Sequence, residues 1–111
     1  MNVQKQQYGA VTVVRPEGPL TATDADRLKA ELLETIRETL GRVVLDVSAV
    51  PYVDSKGLES LVDVTQELSH SGKALKFCAA NQTLRQVMVL TGLSSQFEHF
   101  EDANSAIRSF L

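Results

Sequence analysis

The sequence predicts an α/β protein with one domain, residues 1–111, built on a mostly parallel sheet with an N-terminal hairpin and about four helices. Three observations carry that expectation. Short apolar runs at residues 10–15, 43–47, 73–78 and 96–100 alternate with longer stretches whose apolar residues recur every three or four positions. The first three helical stretches each begin beside a capping residue and stop at a glycine, Gly41, Gly72 or Gly92. The composition, 43% hydrophobic and 23% charged, is that of a globular chain, with no Pro-, Gly- or Ser-rich linker to divide it.

Residues 3–8 suit an edge strand, because Lys5 and the glutamines fit a solvent-facing edge better than a core. Gly9 turns the chain, and residues 10–15 pair back in a hairpin that Pro16, Gly18 and Pro19 should end. Thr21 and Thr23 are both possible caps of the first helix, each followed three residues later by an acid. That helix should run to about Leu40, burying Ala25, Leu28, Leu32, Ile36 and Leu40. Residues 43–47 have the β-branched character of a strand covered on both faces, and Pro51, which lacks an N–H, ends regular pairing after them. Asp54 or Ser55 caps the second helix, which gathers Leu58, Leu61, Val62, Thr65 and Leu68 on one face and closes at Ser71-Gly72. Residues 73–78 form the next strand, and Asn81 caps a third helix carrying Leu84, Val87, Met88 and Thr91 inward. After the strand at 96–100, Asp102 caps a last helix with Ala103, Ala106, Ile107 and Phe110 on its inner face. The order is ββαβαβαβα.

Alternating strands and helices imply parallel neighbours joined by right-handed crossovers, which place the loops that follow the strands at one edge. The turn after Pro19, the turn from Asp54 to Gly57 and the Asn81 turn should therefore lie together at the carboxyl ends of the strands, where such sheets bind ligands and partners. A strand that stops at a capped helix start leaves free N–H groups and the positive end of a helix dipole, a place to hold negative charge. Gly57 in the first turn is expected to let a phosphate, a carboxylate or another protein's backbone come close. An ordinary tight strand-to-helix connection accounts for the same residues.

Several function classes are disfavoured. The net charge is -3 and the basic residues are scattered singly, so nucleic acid is not an expected partner. No stretch has the length and apolarity of a signal peptide core or a membrane span, so a cytoplasmic protein without membrane insertion is expected. The one cysteine, Cys78, ends an apolar strand and should be buried and inert. His70 and His99 fall away from the working edge, no Gly-x-Ser-x-Gly elbow, phosphate loop or dinucleotide fingerprint is present, and no metal constellation or cofactor is implied. A phospho-aspartate at Asp54 would need further acids at another strand end to hold magnesium, and Glu17-Gly18-Pro19 stands there instead of an acidic pair. A non-enzymatic binding module is the expectation.

Three landmarks, in order and at a characteristic spacing, cover nearly the whole chain: Gly18-Pro-Leu-Thr21 before the first helix, Leu45-Asp-Val-Ser-Ala-Val-Pro-Tyr-Val-Asp54-Ser-Lys-Gly-Leu58, and Gly92-Leu93 after the third helix. With these the sequence resembles a STAS domain of the bacterial anti-sigma factor antagonist family. The resemblance implies a switch: members bind an anti-sigma factor that is also a serine kinase, and phosphorylation of the second serine of Asp-Ser-Ser-Gly ends the interaction. The matching position here is Lys56, which a serine kinase cannot modify, and Thr21 replaces the family's turn aspartate, while Glu59 stands where a small residue is frequent. Lys56 can be a solvated lysine paired with Glu59, it can lock the domain in the charge state that binds, or phosphorylation can pass to the neighbouring Ser55. The resemblance places the docking surface at Thr21, Asp54, Ser55, Lys56, Gly57, Leu58 and Asn81, with an anti-sigma factor kinase as partner. Its rival is the STAS subunit of a lipid-transporting ABC complex, whose partner would be the transporter ATPase, and the reading from another class is an enzyme of unrecognised type.

Overall fold

The β-branched runs become strands, and their order across the sheet is their order along the chain. A computed structural model describes residues 1–111. In it β1 (Asn2–Tyr8), β2 (Val11–Glu17), β3 (Val43–Asp46), β4 (Leu75–Cys78) and β5 (Phe97–Phe100) form one sheet ordered β1-β2-β3-β4-β5. β1 is antiparallel to β2, with Tyr8 opposite Val11 across a Gly9-Ala10 turn. Gly9 takes the positive φ, 62°, that a two-residue hairpin loop requires. The other pairs are parallel, with Val13 beside Val44, Leu45 beside Phe77 and Phe77 beside His99.

A strand order that never reverses sends each right-handed crossover over the same face. α1 (Ala22–Thr39), α2 (Ser55–Ser69) and α3 (Gln82–Leu90) accordingly share one core, in which Leu28, Leu32, Leu61, Val64, Leu84 and Met88 meet Val14, Val43, Leu45, Leu75, Phe77 and Phe97. α4 (Ala103–Arg108) follows the last strand and lies against the other face, where Ala106 joins Val11, Val13, Val44 and Cys78. Lys76 fastens the chain end there: its Nζ donates to Ser109 Oγ at 2.7 Å, pairs with Glu98 at 2.8 Å and sits 4.4 Å from the centroid of the Phe110 ring. On the first face the buried Thr65 hydroxyl donates to the Gln96 carbonyl at 2.7 Å and accepts the Leu75 N–H at 3.0 Å, tying α2 to the starts of β4 and β5.

Four details differ from the sequence expectation. β2 runs on through Pro16 to Glu17, because Pro16 stands opposite Val3, beyond the last β2–β3 pair at Val14 and Leu45. Ala10 belongs to the hairpin turn rather than to the strand. Leu40 is 73% exposed instead of closing the buried stripe of α1: it adopts a left-handed conformation, φ 55°, just after the helix, and Lys73 Nζ caps its carbonyl at 2.9 Å. Thr91 faces outward, its hydroxyl satisfied by the Val87 carbonyl at 2.7 Å.

Candidate functional site

The segments that follow β2 and β3 stay paired for one step after the sheet proper has ended. Leu20 and Val53 form an isolated parallel bridge, in which the Leu20 N–H donates to the Tyr52 carbonyl and the Asp54 N–H to the Leu20 carbonyl, both at 3.0 Å. That bridge sets the starts of α1 and α2 side by side. It also explains Gly57. A Cβ at that position would lie 2.5 Å from the Leu20 carbonyl oxygen and 2.9 Å from both Leu20 Cγ and Val53 Cγ1. The space expected to admit a partner is filled from inside by the Leu20 turn, so the bare backbone of Gly57 serves helix-to-loop packing.

Asp54 caps α2, with Oδ1 accepting the Gly57 N–H at 2.8 Å. Its other oxygen, Oδ2, accepts the Ala22 N–H at 3.0 Å, at the first residue of α1. Thr21, the N-cap of α1, contributes no side-chain bond. One carboxylate thus sits at the positive ends of two helices. The Gly57 N–H leads in holding the Asp54 carboxyl below its ordinary range; desolvation works against it, and the Ala22 and Lys56 N–H groups add to the lowering. The negative charge that the helix start was expected to attract is supplied by the chain itself.

Asn81 is committed in a similar way. Its Oδ1 accepts the Leu84 N–H at 2.8 Å to cap α3, while Nδ2 donates to the Pro51 carbonyl at 3.1 Å and so links the loop after β3 to that helix. Leu58 is buried in the core. Of the seven predicted residues, the structure brings Thr21, Asp54, Ser55, Lys56, Gly57 and Leu58 to one corner of the carboxyl edge and joins Asn81 to it through Pro51. Only Ser55 and Lys56 have exposed side chains without a structural duty in the fold, with Thr21 half-buried beside them. Lys56 Nζ lies 3.6 Å from Glu59 Oε2, an exposed pair one turn along.

Tyr52, half exposed beside this corner, was not among the predicted residues. The signal available for it was an aromatic residue placed between Pro51 and a helix cap, where no core position is expected. The groups set aside on sequence grounds lie elsewhere. His99 sits in β5, where its Nε2 meets the Ser94 carbonyl at 3.1 Å, and His70 is the C-cap of α2. Burial foremost, with Asp46 and Asp102 nearby, pushes the Cys78 thiol up to about 12, which leaves it protonated and unreactive. No three His, Cys, Asp or Glu side chains are grouped to hold a metal ion, and no helix is long and apolar enough to cross a membrane.

The STAS domain family matches residues 2–106 of the chain. Among sequence relatives, BtrV of Bordetella bronchiseptica, provisionally named an anti-sigma factor antagonist, is 28% identical over 110 residues, 99% of this chain and 95% of its own length. Among solved structures, an anti-sigma factor antagonist from Thermotoga maritima, also provisionally named, superposes with a TM-score of 0.87 at 19% identity, covering 96% of this chain and 92% of that one. The Bacillus cell fate determinant SpoIIAA in its phosphorylated form superposes with a TM-score of 0.74 at 17% identity, covering 99% and 100%. The structural likenesses establish the same fold, and the sequence match runs from the first strand into the last helix. On these grounds the chain belongs to the STAS domain family.

Proposed function

We propose that this protein is a regulator of the anti-sigma factor antagonist type, which binds an anti-sigma factor through the corner where α1 and α2 begin and so controls release of a sigma factor. The observation that carries the reading is the exposed Ser55-Lys56 pair at the start of α2, held on a frame of internal hydrogen bonds. Such a corner offers a partner a fixed surface without the ordering cost of a flexible loop. The full-length resemblance to BtrV supports the same assignment.

Lys56 gives the reading its particular form. Where phosphorylation would place a dianion to repel the partner, this chain keeps a positive charge, with only an exposed pair to Glu59 offsetting it. The binding-competent state is then the permanent one at that position, and control passes to the protein's abundance or to the anti-sigma factor. Ser55 is the one adjacent hydroxyl open to a kinase. The test is binding to a purified kinase-like anti-sigma factor from the same genome, with the wild type and Lys56→Glu side by side. The wild type should bind, and the charge reversal should weaken binding about tenfold or more. Failure of the wild type to bind that anti-sigma factor, with binding to a purified transporter ATPase instead, would overturn the assignment.

A further inference from the structure

We propose that Asp54 is a positioning residue for this corner, not a contact: its two oxygens lock the loop after β2 to the loop after β3, so that Thr21 on one and Ser55-Lys56 on the other present a single surface. The purpose assigned to the lock rests on the docking reading above, whereas its geometry does not.

Ser, Thr or Asn would cap α2 as well as Asp does, but each supplies one side-chain acceptor atom, enough for one helix. An ionised carboxylate supplies two and no donor. Both are in use here, across a sequence separation of 32 residues between Asp54 and Ala22. α1 has no side-chain cap of its own at Thr21, so its first N–H depends on a residue that belongs to the next crossover. The neighbouring contacts act in the same direction. The Leu20–Val53 bridge holds the two loops in register, and the absent Cβ of Gly57 lets the first turn of α2 close over the Leu20 carbonyl. Neither of those contacts reaches the Ala22 N–H. Asp54 alone supplies a side-chain acceptor to that first N–H of α1 while capping α2.

Asp54→Asn separates the two duties, because whichever way the amide turns, it offers one acceptor and one donor, leaving either Ala22 or Gly57 without a partner. Amide hydrogen exchange on the free protein should show one of these two N–H groups exchanging roughly fivefold faster or more. Affinity for the anti-sigma factor should fall by a similar factor. Thr65→Val is the control, since it removes one buried and one partly buried hydrogen bond at the opposite end of the sheet and should lower stability while leaving the corner's exchange and affinity unchanged. Unchanged exchange at both Ala22 and Gly57, or an affinity within twofold of wild type despite faster exchange, would overturn the proposal. So would an equal affinity loss in Thr65→Val. If the wild type binds no anti-sigma factor, the docking reading fails by itself, and the exchange rates alone decide whether Asp54 locks the two loops.

Discussion

A methyl group at Gly57 would land 2.5 Å from a backbone oxygen, and neither the Leu20 carbonyl nor the helix turn can move away without breaking the bridge that carries both. Gly57→Ala should therefore destabilise the fold by about 1–3 kcal/mol, read from denaturant unfolding, although the residue sits at the edge of the molecule. Asp54 links the same corner to pH. Its folded pKa lies below the ordinary 3.8, so its contribution is complete above that value and is lost as pH falls through the lower folded pKa. The difference in melting temperature between wild type and Asp54→Ala, measured from neutral pH downward, should narrow in that acid range. The sequence announced half of what Asp54 does. A cap three residues before Gly57 is a local pattern, whereas the bond to Ala22 exists only because Leu20 and Val53 pair after the strands have ended, and no local pattern encodes that pairing. For the same reason Gly57 looked like an opening for a partner: composition shows a missing side chain, not which neighbour occupies the space.

Helices α2 and α3 begin at Asp54 and Asn81, whose side chains accept first-turn N–H groups, an interaction over three residues that is written in the sequence itself; α1 begins at Thr21, the first of its two candidate caps, without a side-chain bond from it. Their ends were less legible. Leu40 continues the 3.6-residue apolar stripe of α1, yet the helix stops before it, since Gly41 turns the chain and Lys73, far along the sequence, reaches back to the Leu40 carbonyl. Thr65 shows a related limit in α2. Its place on the inner face follows from periodicity, but its use as donor to Gln96 and acceptor from Leu75 depends on where two later strands begin. Thr65→Val keeps the shape and removes the hydroxyl, leaving the partly buried Gln96 carbonyl and the buried Leu75 N–H without that partner. Thermal and denaturant unfolding should show a loss of about 1–3 kcal/mol, well above the effect of an exposed substitution.

For the whole molecule, the alternation of strands and helices was enough to place the three loops at one edge, because parallel strands with right-handed crossovers leave little choice. The face taken by α4 was not determined that way. It does not connect two of the five strands, so no crossover rule applies, and its seat comes from Ala106 and Phe110 fitting the apolar patch and the Lys76 side chain on the far face. The unbroken order β1-β2-β3-β4-β5 has a consequence for synthesis. In a sheet whose strands are interleaved, an early strand must wait for a later one to be inserted beside it. Here each strand after the first finds its neighbour already made, and each crossover helix is in place when the strand that follows it arrives. The part of the carboxyl-edge corner from Thr21 to Lys56 needs no residue made after α2, so it can close before β4 is made, and Asn81 joins it later from the start of α3.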